Sequence, residues 1–205
     1  MKIHWKTKNN KIYILLIAVV CMVVLSAMQT FAMNRNDNSG YDEYTTTPAV
    51  EEDAQEYVRN YQLSRAKSIA KAGYNVEMMR HREVVIVIIP TAKLFAPSST
   101  EITGKGARLL REIIPYMGEP GFYRIAIAGY ADNTGSPSYC LKRSGEQAAA
   151  VAQWLGKETS GMEIMDFAMG SESPLLPNNT VANRAANRRI EILLIPGEGL
   201  LEQAQ

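Results

Sequence analysis

At 205 residues, 46% of them hydrophobic, the chain has room for one domain of ordinary size plus appendages, and it can bury a core without disulfide staples. A formal net charge of +1 argues against a nucleic-acid partner, because polyanion binders concentrate a basic excess. Two histidines, His4 and His81, and two cysteines, Cys21 and Cys140, that are not placed to pair offer no ligand set for zinc or iron, so no metal and no cofactor is expected.

Four lysines (Lys2, Lys6, Lys8, Lys11) precede an uncharged stretch, IYILLIAVVCMVVLSAMQTFAM, at 12–33. As a helix at 1.5 Å per residue it reaches roughly 33 Å, enough to span a bilayer core. The lysines favour an orientation that exports everything after it. Two readings of 1–33 stay open: a retained transmembrane anchor, or a signal peptide cleaved after SAMQTFA, with Thr30 and Ala32 at a suitable spacing. A tether needs two ends, which favours the anchor. A lipoprotein site at Cys21 fits poorly, since Val20 is not small and the apolar run continues past it.

Residues 34–47 are polar and lack an apolar period, and read as a flexible linker. A juxtamembrane helix is predicted over 48–73. Thr47 can cap it, Pro48 suits its first turn, and Glu51, Glu52 and Asp53 favour the positive end of its dipole. Ala54, Val58, Tyr61, Ile69 and Ala72 mark its buried face, and Gly73 is its stop.

From Asn75 the rhythm turns to β-like runs: NVEMMR, then EVVIVII (83–89), β-branched and unbroken as in a strand buried on both faces. Thr103 can cap a helix carrying Leu109, Leu110, Ile113, Ile114 and Met117, which Pro115 ends or kinks. FYRIAIAGY (122–130) is a core strand, and Ala148, Val151, Ala152 and Leu155 mark a second amphipathic helix. IMDFAMG and RRIEILLIP supply two more strands. The pattern predicts an α/β (α+β) domain over 74–196, a mixed sheet covered by helices in the order β-α-β-α-β-β, with an exposed tail at 197–205.

Ligand sites in such alternations lie beyond the carboxyl ends of strands. The loop after AIAGY places Asp132, Asn133, Thr134 and Gly135 there. Asp132 can receive a cationic group or simply close an Asx turn on its own backbone, and the residues alone favour the turn. In NRAANRRIEI (183–192), Arg184, Arg188 and Arg189 can form a platform for carboxylates or make local ion pairs, for example to Glu191. No histidine lies near a serine, no Gly-x-Ser-x-Gly elbow or phosphate loop occurs, and the acids are scattered; an enzyme is not expected.

Together, KLF…EIT, GYADNTG, Tyr139 with Ala148 and Val151, MGSESP and NRAANRRIEI resemble the OmpA C-terminal-like, peptidoglycan-binding domain family (OmpA/Pal/MotB type) over about 83–195. The resemblance implies non-covalent binding of peptidoglycan at the diaminopimelate of the stem peptide. It assigns Asp132 to a charged end of that amino acid, Thr134 and Gly135 to the rest of the loop, and Phe95, Asn187 and Arg188 to other walls of the groove.

The family pattern Y-N-x-x-L-S-x-x-R-A-x-x-V aligns without gaps onto 139–151, and there the chain departs from it. The asparagine becomes Cys140, the leucine Arg143 and the arginine Gln147, and the acid that often follows the phenylalanine is Ala96. A neutral amide forfeits roughly half of a charge-assisted contact. Arg143, one helical turn before Gln147, can reach the same carboxylate if the helix has begun there. The expectation is a bacterial envelope protein, inner-membrane-anchored if 12–33 is retained and periplasmic or outer-membrane-associated if cleaved. It tethers a membrane or envelope complex to the wall, or else serves as an OmpA-like scaffold with a degenerate wall site that binds a protein partner.

Overall fold

In the computed structural model the described residues are 39–46 and 51–205. The anchor or signal at 12–33 and the Thr47–Pro48 helix start lie outside them. Among the described residues no helix is long and apolar enough to cross a membrane.

Five strands, β1 (Asn75–Met79), β2 (Val84–Pro90), β3 (Tyr123–Tyr130), β4 (Glu163–Gly170) and β5 (Arg189–Pro196), form one mixed sheet in the order β1-β2-β5-β3-β4. β5 runs antiparallel to both β2 and β3, and β3 pairs parallel with β4. β2 is buried on both faces, as its unbroken β-branched run predicts. Val85, Val87 and Ile89 face a helical layer, whereas Val84, Ile86 and Ile88 face the opposite side.

The helical layer consists of α2 (Glu52–Lys71), α4 (Gly104–Ile113) and α5 (Pro137–Glu158), packed through Val58, Ile69, Leu110, Ile113, Val151 and Leu155. Thr103 caps α4, its hydroxyl accepting from the Gly106 N–H at 3.0 Å, and Pro115 falls in the 3₁₀ turn that ends it. Ser136 caps α5 and Pro137 opens its first turn. Short helices α3 (Thr91–Leu94) and α6 (Val181–Asn187) follow β2 and precede β5.

Several expectations need correction. NVEMM is a full edge strand and α6 separates β4 from β5, so the longer elements run β-β-α-β-α-β-β. Ala72 is the exposed C-cap of α2; the buried stripe uses Gln62 instead. Gln62 donates to the carbonyls of Glu83 and Leu194 at 2.7 and 3.0 Å and accepts from the Tyr123 hydroxyl at 3.0 Å, so its amide is satisfied in the core. The tail is not an exposed end: α7 (Glu198–Glu202) buries Leu200 and Leu201 in the main core, because two adjacent leucines are better covered than solvated. Residues 39–46, inside the segment read as a flexible linker, form helix α1 (Ser39–Tyr44) and a turn docked on the sheet's second face, with Tyr41 and Thr45 buried. Aromatic residues hidden in a polar stretch made that docking invisible to periodicity.

Candidate functional site

Because β2 and β3 run together and β5 runs against both, the carboxyl ends of β2 and β3 meet the start of β5 at one end of the sheet. The turn after α3, the loop after β3, the first turns of α5 and Arg188 surround a cavity of about 510 Å³ there. This is where strand-end sites in α/β sheets form.

Asp132 is 5% exposed, and both of its carboxylate oxygens have partners within the chain. Oδ1 accepts from the Thr134 N–H at 2.8 Å, closing the Asx turn, and Oδ2 pairs with Nη1 of Arg188. Burial pushes the carboxyl's pKa up, but hydrogen bonds from Thr134 and Arg188 outweigh it and hold the group below its ordinary value. Arg188 is fixed at its backbone, its N–H donating to Arg184 O and its carbonyl accepting from the Thr91 N–H, while its side chain remains 45% exposed. The side chain is therefore held at its root, while its tip meets both Asp132 and solvent.

The buried thiol of Cys140 donates to Asp132 O at 3.3 Å and so holds the loop from the position where the family pattern has asparagine. Arg143 and Gln147 share a face of α5 one turn apart, as expected from a helix that begins at Pro137. In the chain itself Arg143 is held by backbone carbonyls. Its two Nη atoms donate to Ser98 O (3.2 Å) and Ser99 O (2.8 Å), and Gln147 Nε2 donates to Ser99 O at 3.5 Å. Both side chains grip the rim turn, in which Ser98 sits at φ +57°, a backbone region that costs a non-glycine residue unless its surroundings enforce it.

The structure thus brings Phe95, Asp132, Thr134, Arg143, Gln147 and Arg188 around one cavity. Gly135 and Asn187 are not among its lining. Gly135 makes the turn at φ +116°, tight against the Tyr139 ring. Asn187, fully buried, donates to Leu176 O and Asn178 Oδ1 and accepts from the Leu176 N–H, pinning the 174–178 loop instead of forming a groove wall. The three-arginine platform is likewise dispersed. Arg184 donates to Asn178 O, and Arg189 is buried in an ion pair with Glu191 at 2.7 Å, leaving Arg188 to reach the cavity.

Sequence reasoning missed Tyr139, 56% exposed at the cavity mouth, and the Ser98–Ser99 turn as an acceptor for Arg143. An exposed aromatic in the first turn of a helix next to a site loop is the signal that was available for the first; nothing local signals the second. Chemically, the cavity offers one carboxylate and two guanidiniums, a set suited to a ligand carrying both an ammonium and a carboxylate. Among the described residues no cluster of His, Cys, Asp or Glu could hold a metal ion.

This is a mixed-sheet α/β domain with a charged strand-end cavity. Residues 94–188, a little under half of the chain, match the model of the OmpA family. It is 29% identical over 127 residues to the protein called Probable lipoprotein YiaD from Escherichia coli, covering 60% of this chain and 57% of the relative. It is 39% identical over 72 residues to the peptidoglycan-binding protein ArfA of Mycobacterium tuberculosis, covering 35% and 22% respectively. The chain thus spans little more than half of the first relative and about a fifth of the second. Its fold matches the crystal structure of a MotB-like protein from Desulfovibrio vulgaris with a TM-score of 0.58 at 21% identity, over 69% of this chain and 95% of the other.

Proposed function

We propose that the domain binds peptidoglycan non-covalently at the diaminopimelate of the stem peptide and tethers an envelope or membrane complex to the bacterial wall. The observation that carries this reading is the Asp132–Arg188 pair in the cavity. Diaminopimelate ends in an ammonium and a carboxylate. Its ammonium takes Oδ2 of Asp132, and the guanidinium of the half-exposed Arg188 side chain turns to the carboxylate, so that one ion pair is exchanged for two charge-assisted contacts. The Thr134 N–H keeps the other oxygen in place throughout, so the acceptor is oriented before the ligand arrives. Arg188 thereby supplies the cation that the family pattern has at Gln147, while Arg143 and Gln147 shape the rim. The name of ArfA, a peptidoglycan-binding protein, supports the same reading.

A second reading, an OmpA-like scaffold with a degenerate wall site, is favoured by one observation: Asp132 and Arg143 already have partners within the chain. Co-sedimentation of the full chain with purified sacculi separates the two. Retention that Asp132→Ala reduces at least tenfold supports wall binding, and absence of wild-type retention removes it in favour of a protein partner.

A further inference from the structure

Helix α1 and its turn lie across the sheet face opposite the helical layer. Tyr41 packs edge-on against Phe167 at 5.4 Å, and Tyr44 lies beneath the guanidinium of Arg124, 5.2 Å from the ring centre. Arg124 also donates to Thr46 O at 2.8 Å, and Arg80 Nη2 donates to Asp42 O (3.2 Å) and Thr45 Oγ1 (3.1 Å). Arg80 is presented by a turn in which Arg80, His81 and Arg82 all have positive φ, of 53°, 54° and 76°. Three such non-glycine residues in succession are costly and persist only where the surroundings enforce them. At six residues, α1 is also well below the roughly 12 to 15 needed for a helix to stand alone in water. Its helical form therefore depends on docking.

This strap touches the site through one rung of the sheet. The phenols of Tyr41 and Tyr130 lie together in the buried cluster of this face, and the ring of Tyr130 lies under the Arg189 guanidinium, 3.6 Å from its centre. Arg189 is in turn paired with Glu191. Tyr130 and Arg189 face each other in the β3–β5 register, at the rung from which the chain continues two residues to Asp132 and one residue back to Arg188. Both charges of the cavity thus spring from the rung that Tyr41 buttresses. Burial, and then the charge of Glu191, pushes the Tyr41 phenol up to about 12, so it stays protonated.

We propose that residues 39–46 are a strap whose docking on the sheet positions the Asp132–Arg188 pair, so that strap docking and occupancy of the cavity are linked equilibria. Tyr41, Tyr130 and Arg189 act as positioning residues. Linkage is reciprocal: a ligand in the cavity favours the docked strap, and a pull that releases the strap weakens the grip on the ligand. The ligand half of this statement rests on the wall-binding reading; the half that joins strap to ion pair does not.

Amide hydrogen exchange on the full chain in detergent micelles tests both halves. Without ligand, the isosteric Asp132→Asn is expected to speed exchange at 41–46 about fivefold. Tyr41→Phe, which keeps the ring and removes the hydroxyl, is expected to speed exchange of the Thr134 amide by a similar factor. Amides of 125–128 in β3 should stay at wild-type rates in both variants, which a general loss of stability would not allow. With a soluble diaminopimelate-containing stem peptide added, exchange at 41–46 is expected to slow about fivefold. Wild-type rates at 41–46 in Asp132→Asn and at Thr134 in Tyr41→Phe overturn the strap. If the variants respond while the peptide fails to bind, the strap stands and the wall-binding reading falls.

Discussion

The two oxygens of Asp132 have different partners, a backbone N–H and a guanidinium, and both favour the ionised form. The sign of the pH effect follows. A carboxyl whose folded pKa lies below its unfolded value of about 3.9 contributes stability that is fully present above that value and is lost as pH falls through the depressed folded one. Urea unfolding between about pH 6 and pH 2 should therefore show a steeper acid loss in the wild type than in Asp132→Asn. At Gln147 the expectation concerns affinity. Restoring the family cation with Gln147→Arg adds a charge-assisted donor beside the cavity, worth about 1 kcal/mol or roughly fivefold in binding to a stem peptide. Titration calorimetry that finds no gain would place Gln147 on the rim alone. The sequence located Asp132 with its Asx turn and the replaced residues, but not the pairing of Asp132 with Arg188 or the partners of Arg143. That Arg143 would meet Ser98 and Ser99 carbonyls depends on where a loop 44 or 45 residues away in the chain comes to rest, which no local pattern encodes.

Helix α5 carries four of the residues that line the cavity, and its distance from the sheet is set where Gly129 of β3 passes beneath it. A Cβ at Gly129 would lie 2.1 Å from Ser144 O, a backbone atom that cannot yield without moving the helix. Gly129→Ala is expected to cost about 1–3 kcal/mol or more and to loosen the grip of Arg143 on the rim turn, read as a lower thermal midpoint and faster exchange around Ser99. On β5, Glu191→Ala leaves the guanidinium of Arg189 buried and unpaired, and should cost about 3–5 kcal/mol by denaturant unfolding. The strands and long helices were legible because their apolar periods are clean: EVVIVII, AIAGY and the Ala148–Leu155 stripe need no tertiary knowledge. α1 and α7 were not, because a few aromatic or leucine side chains in a polar stretch decide their burial. α6, at seven residues, is too short to show a period.

For the molecule as a whole, topology turns separated motifs into a site. The antiparallel setting of β5 between β2 and β3 carries NRAANRRIEI to the same end as GYADNTG and the KLF turn, so the resemblance of three separate motifs becomes one cavity. The same topology leaves the second sheet face to the strap. On the proposed wall-binding function, grip depends on both ends of a zwitterion, since a lone ammonium would have to displace Arg188 from Asp132 and leave it without a partner. The most direct measurement is co-sedimentation of the full chain with two kinds of sacculi, one with diaminopimelate at the third stem position and one with lysine, which keeps the ammonium and lacks the carboxylate. We expect retention on the diaminopimelate wall to be at least tenfold greater, with the advantage lost in Arg188→Ala. Equal retention on both walls, or retention indifferent to Arg188, would contradict recognition by the Asp132–Arg188 pair.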